Sequence, residues 1–195
     1  MLVALAPVAT TEQPSQAERT KLVQYLTSTR DQVIAETEKL SDAQWSFKTA
    51  PERWSAGEVV EHLALAETFI FDMHQKAMAG PPATAEQQAA AKGKDDMILK
   101  VIPDRTKKAQ APEPLQPGTR LGPRAKVMDA FKERRAKTLD YAAKTTADLR
   151  GRVGDSPLGP LDGYQWLLFV GAHTERHLAQ IREVKADPKF PKGTP

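Results

Sequence analysis

The chain contains four histidines, His62, His74, His173 and His177, and no cysteine. Without thiolates, a metal can be held only by imidazole nitrogen or carboxylate oxygen, and nucleophilic cysteine, Fe–S and disulfide chemistry are excluded. His173 and His177 stand four residues apart in His173-Thr-Glu-Arg-His177. On an α-helix this spacing stacks two imidazoles on one face, where both can reach one ion. Trp166, Phe169, Val170, Gln180 and Val184 fall on the same side, so the pair looks into the protein. His62 has similar company, with Val59, Ala66, Phe69 and Met73 along its face. Three inward histidines from two helices make a three-His divalent-metal site. The alternative is histidines at the edge of a packed core, each with polar nitrogens to satisfy. His74 is rotated about a third of a turn from His62 and reads as an ordinary surface histidine.

The five-residue motif differs from His-Glu-x-x-His, in which the glutamate beside the first histidine acts as general base. Here Glu175 lies about 200° around the helix from His173 and reads as a solvent-facing charge. Two helper residues are candidates for catalysis. Gln180 could hydrogen-bond a ligand or be a buried amide satisfied by backbone. Glu58, one turn before His62, could orient that imidazole. It also stands three residues after Ser55, where a helix start places a capping glutamate. Trp54 is expected to staple that helix entrance rather than touch substrate.

These residues need long helices to carry them, and proline placement marks where such helices fit. Pro-free stretches run over 15–50, 52–80, 124–156 and 161–187, and helix interiors do not accept proline cheaply. Ser15-Gln-Ala-Glu18 and Ser55-Ala-Gly-Glu58 are capping boxes, and Asp162 precedes Gln165 by three. Apolar residues recur at helical spacing over 15–40, 55–79, 124–146 and 161–186. No stretch keeps a period of two, so a sheet is not expected. The expected fold is all-α: a four-helix bundle with a long crossover between helices two and three. That connection, residues 80–123, holds seven prolines and has room for a minor helix over Ala85–Ile102. It far exceeds the usual helix-to-helix loop of about 2–8 residues.

Length and composition agree with one domain over 1–195, its core near 15–187. Lys and Arg number 28 against 25 Asp and Glu, and the basic residues are interspersed with acidic ones. Even the densest run, Lys132 to Arg135, contains Glu133. This is a solvated mixed-charge surface, so no nucleic-acid partner is expected. Met1–Ala9 is apolar but short, interrupted by Pro7 and without a positive flank. No other segment approaches a membrane span, so no membrane partner and a cytoplasmic location are expected. A homodimer is compatible with a bundle, although no residue pattern specifies one.

Trp54-Ser-Ala-Gly-Glu-Val-Val-Glu-His62-Leu is similar to the helix-two motif of the DinB/YfiT-like superfamily. His173-Thr-Glu-Arg-His177-Leu-Ala-Gln-Ile181 resembles its C-terminal helix motif, and Leu40-Ser-Asp-Ala-Gln-Trp45 its exit from helix one. The resemblance spans about residues 15–186. It implies a four-helix bundle with a divalent metal, usually zinc or nickel, on three histidines, here His62, His173 and His177. It also implies a small-molecule substrate. Some relatives act as S-transferases or isomerases with a low-molecular-weight thiol cosubstrate, others as metal-dependent hydrolases. A non-catalytic, metal-stabilised bundle serving binding or stress response is the rival reading.

Overall fold

A computed structural model describes residues 13–192; the apolar Met1–Ala9 stretch lies outside the described residues. The long helices form where the proline-free stretches predict. They are α1 (Gln16–Thr37), α3 (Ala56–Ala79), α6 (Arg124–Lys144) and α7 (Gly163–Lys185). Short α2 (Asp42–Ser46) follows α1. The starts of α1, α3 and α7 are set by reciprocal capping boxes, Ser15 with Glu18, Ser55 with Glu58 and Asp162 with Gln165. In each, the cap oxygen accepts a free first-turn N–H while the third side chain accepts from the cap's own N–H. Helix α6 begins instead directly after Pro123.

Helix α1 packs against α6 and α7, and α3 packs against the same two, while α1 and α3 scarcely meet. The first and second long helices, α1 and α3, therefore occupy opposite corners of the bundle, as do α6 and α7, while α3 and α6 are neighbours. Segment 38–55, containing α2, carries the chain across one diagonal, and segment 145–162 carries it across the other. Trp45 on α2 seats against Gly57 of α3, where an added Cβ would fall 2.2 Å from the indole nitrogen. Only glycine permits that approach.

The core is divided. Leu22, Leu26, Ile70 and Leu167 belong to one apolar cluster; Val33, Val59, Leu63, Phe131 and Ile181 belong to the other. Between them in sequence on all four helices lie Thr29, Glu67, Arg135 and Thr174, all buried. Arg135 is thus not part of a solvated charge run: its side chain is fully enclosed and pairs with Glu67 at 2.7 Å.

The Ala85–Ile102 stretch forms two helices, α4 (Ala85–Ala91) and α5 (Lys94–Val101). Gly93 separates them at φ 77°, a left-handed conformation that breaks an α-helix and suits glycine. Ile98 of α5 is fully buried, and α5 lies on α7. A single 3-10 turn, Glu113–Leu115, interrupts the rest of the crossover. A two-residue antiparallel ladder, β1 (Val153–Gly154) with β2 (Leu161–Asp162), also forms. It is too short to show as alternation in the sequence.

His74 corrects the surface reading. It is fully buried, with its ring 5.6 Å from that of Phe71 and 4.9 Å from that of Tyr141. Nδ1–H donates to the Gly163 carbonyl at 3.0 Å, and Nε2 has no partner. Helix α3 contacts α7, α6 and β1, so it buries a wider arc than one face of a surface helix. Burial lowers the His74 pKa to about 4.

Candidate metal centre

The structure brings His62 of α3 together with His173 and His177 of α7. One ring nitrogen from each lies within 4.8 Å of the other two. Ring centroids are 5.1 Å apart for His62–His173, and 4.5 Å for both His62–His177 and His173–His177. His62 and His177 are buried, and His173 is partly buried. The two helices stand in direct contact, so the one-turn spacing on α7 and a single position on α3 suffice to converge three imidazoles.

Hydrogen bonds orient two of the rings. The His62 Nδ1 lies 2.7 Å from the Leu115 carbonyl oxygen. A carbonyl only accepts, so Nδ1 carries the proton and Nε2 presents a lone pair. The His177 Nδ1 lies 3.0 Å from Gln180 Oε1, which also accepts from the Arg105 guanidinium at 3.2 Å. A guanidinium is a pure donor, so the atom facing both groups is the amide oxygen. His177 therefore also holds its proton on Nδ1 and frees Nε2.

The freed His62 Nε2 lies 3.3 Å from His173 Nε2. Two imidazole nitrogens at this distance need a proton or a cation between them. A second, charge-bearing proton is disfavoured on all three rings, so each is neutral. His173 either donates its Nε2–H to His62 or turns an Nε2 lone pair to a shared cation. Burial lowers the His62 pKa. Burial, then the neighbouring His62 and the cationic Arg176 and Arg135, push His173 down to about 3. Burial and the two other imidazoles hold His177 well below its ordinary value. Three neutral imidazoles converging on one point, two of them with the outer nitrogen locked and the inner lone pair free, match the donor chemistry of a divalent cation.

Gln180 sits beside the centre, at the outer nitrogen of His177. Glu58 does not contact His62. Its carboxylate accepts from the Ser55 backbone N–H at 2.8 Å and from Lys48 Nζ at 2.7 Å, completing the cap. Glu175 is exposed and accepts from the Tyr25 hydroxyl at 2.5 Å. Trp54 does more than staple the helix entrance. Its ring lies 4.9 Å from His62 and 6.2 Å from His177, covering one side of the cluster. A cleft of about 150 Å³ beside it is lined by Thr49, Arg53, Trp54, Gln180 and Glu183.

Sequence reasoning missed Leu115 and Arg105. Leu115 acts through its carbonyl, which every residue possesses, so no residue type announces it. The available signal was the length of the 80–123 crossover, which exceeds what spanning two adjacent helices requires.

The DinB superfamily pattern matches residues 25–181, most of the chain and all three histidines. The chain belongs to the DinB superfamily. Over 156 residues it is 28% identical to the uncharacterized protein YuaE of Bacillus subtilis (strain 168), covering 77% of this chain and 88% of YuaE. Among solved structures it is similar to YfiT from Bacillus subtilis, described as a probable metal-dependent hydrolase with an unusual four-helix bundle topology. The TM-score is 0.52 at 17% identity, over 93% of this chain and 91% of YfiT. At that identity the likeness establishes the bundle for this DinB chain. The DinB fold and the three-His cluster together support metal binding.

Proposed function

We propose that this chain is a metal-dependent enzyme in which His62, His173 and His177 hold a divalent cation, zinc or nickel, and that it acts on a small electrophilic substrate. The observation that carries this reading is the convergence of three imidazole nitrogens within 4.8 Å, with two outer nitrogens held by fixed acceptors. A cation on three neutral imidazoles supplies Lewis acidity and eases proton loss from a coordinated water or thiol. Hydrolysis is the first reading, in keeping with the description of YfiT. Thiol S-transfer shares the same activation, and with no cysteine in the chain a thiol would arrive as a low-molecular-weight cosubstrate.

The chain's own residues do the remaining work. The Leu115 carbonyl keeps the His62 proton on Nδ1, and Gln180 does the same for His177. Trp54 shields two rings from water on one side. The adjoining cleft admits a small substrate past Gln180 and Arg53. A cytoplasmic protein with neither nucleic-acid nor membrane partner accords with this reading. Among the described residues no helix is long and apolar enough to cross a membrane.

One observation favours a non-catalytic metal-stabilised module as second reading. The groups touching the outer nitrogens are a carbonyl and an amide, and the ring cover is an indole. None accepts a proton at neutral pH. Metal content of the purified protein tests the site. One ion per chain is expected, lost on His62→Ala, His173→Ala and His177→Ala; metal content unchanged by all three would reject it. Incubation with small esters, amides and thiol-plus-electrophile pairs then separates the readings. Metal-dependent product marks the enzyme, and metal binding without turnover of any panel member marks the module.

A further inference from the structure

The crossover between α5 and α6 reaches the outer nitrogen of His62 directly and that of His177 through Gln180. Its first part is held on α7. Arg176 donates to the carbonyls of Ile102 (3.3 Å), Asp104 and Lys107 (2.7 Å). Arg105 reaches back with a bidentate pair to Glu183 at 2.7 and 2.8 Å, and its remaining nitrogen donates to Gln180 Oε1. That oxygen is the acceptor for His177 Nδ1.

The last part is held on α3 by the residue next to His62. Glu61 is buried, and its carboxylate accepts three backbone N–H groups, from Gly118 (3.0 Å), Thr119 (3.1 Å) and Leu121 (3.1 Å). Thr119 adopts φ 65°, and among the described residues no other non-glycine has positive φ. That conformation turns successive N–H groups toward one carboxylate, as in an anion nest. Strained backbone persists where its surroundings over-determine it. Between the two clamps stands Leu115, with its carbonyl on His62 Nδ1.

We propose that residues 102–121 form a strap that is part of the metal centre, with Glu61 and Arg105 as its positioning residues. The strap fixes the outer nitrogens of one histidine on α3 and one on α7, and metal binding and strap docking reinforce each other. The inference rests on the three-His reading above. It goes beyond that reading in assigning the crossover a function and in naming two charged residues that touch no imidazole. Linkage makes the coupling reciprocal: a docked strap raises metal affinity, and bound metal holds the strap down by the same factor.

The test uses full-length protein stripped with a chelator and titrated with Zn²⁺ against a chromophoric chelator. Glu61→Gln keeps the shape but sets an amide NH₂ against a backbone donor. Arg105→Gln removes the fork on Gln180 and Glu183. Each is expected to weaken Zn²⁺ binding about 10- to 100-fold, the usual effect of losing an outer partner. Glu133→Gln, on the exposed face of α6, is expected to bind as the parent does. Zn²⁺ should also slow amide exchange at Gly118, Thr119 and Leu121 in the parent protein, a readout that needs no variant to fold. Parent affinity in both variants, or exchange at the three amides indifferent to Zn²⁺, would overturn the proposal. Lower melting temperatures in chelator at unchanged Zn²⁺ affinity would likewise overturn it, leaving the strap a purely structural clamp. If the parent binds no Zn²⁺ or Ni²⁺ at the histidines, the three-His reading fails and this inference falls with it. Parent binding lost on His62→Ala but unmoved by Glu61→Gln and Arg105→Gln sinks the strap proposal alone.

Discussion

Two buried polar groups of this bundle lie close together on α3 and α7 and differ in kind. In the first, the fully enclosed Arg135 directs donors to Glu67 (2.9 and 2.7 Å), the Leu26 carbonyl (2.9 Å), Thr29 (3.0 Å) and Thr174 (2.6 Å). Glu67 also accepts from Thr138 at 2.7 Å. Opposite charges cancel and every donor has an acceptor, so nothing is left for a ligand to satisfy. In the second, three like side chains bring ring nitrogens toward one point with no countercharge inside the cluster. Completeness marks a structural layer; converging imidazoles with two outer nitrogens already held mark a site. Burial alone would not have distinguished them, because both are largely enclosed.

The comparison breaks most visibly at the ion pair. Arg135→Ala leaves the Glu67 carboxylate buried and unpaired and should cost about 3–5 kcal/mol by urea denaturation. Metal affinity of the folded fraction should stay at the parent value. A loss below about 1 kcal/mol would mean that the layer is not the closed network described.

Acid should act on His74, the buried histidine outside the cluster. Its folded-state pKa is lowered to about 4 from 6.5. The unfolded chain therefore takes up the proton first as pH falls. The stability due to neutral His74 is fully present above pH 6.5, declines down to about 4, and levels below that. The whole change amounts to about 3 kcal/mol. A His74→Asn variant, whose amide can still reach the Gly163 carbonyl, should lose this slope in stability measured from pH 7 to 4. An unchanged slope would locate the acid sensitivity elsewhere.

At the three-His cluster the expected stabilisation depends on metal. Zn²⁺ at a hundredfold excess over its dissociation constant should stabilise the parent by about 2.7 kcal/mol. His173→Ala should abolish that increment in thermal melts with and without chelator. Because removing one imidazole leaves no uncompensated charge, stability in chelator should change far less than for Arg135→Ala. The smallest effect is expected at Glu58, the residue with two sequence readings. Glu58→Ala should cost about 0.5–1 kcal/mol through the lost half of the capping box. Zn²⁺ affinity unchanged by Glu58→Ala would keep that carboxylate outside the centre, and a tenfold loss would return it there.

Much of this was legible before any coordinates. Helix starts were readable because a capping box is a local device: Ser55 and Glu58 find each other within one turn, whatever the remainder of the chain does. The histidine faces were readable for the same reason, since 3.6 residues per turn place His173 and His177 together without reference to other elements. His74 and Arg135 were misread because a single helix displays one apolar stripe. How many neighbours cover its other faces depends on packing, and α3 is covered by α6, α7 and β1.

The sequence by itself determined four long helices, their starts, and three histidines presented on inward faces. These follow from backbone geometry and from hydrogen bonds closed within a few residues. Only the tertiary structure decided that α1 and α3 stand at opposite corners, that α3 and α7 touch where their histidines lie, and that the crossover returns over them. It also decided which nitrogen of His62 and of His177 carries the proton. Those outcomes depend on a backbone carbonyl 53 residues from His62 and a guanidinium 75 residues from Gln180. Contacts between residues so far apart in sequence are selected by the packing of whole helices, and no local spacing rule encodes them.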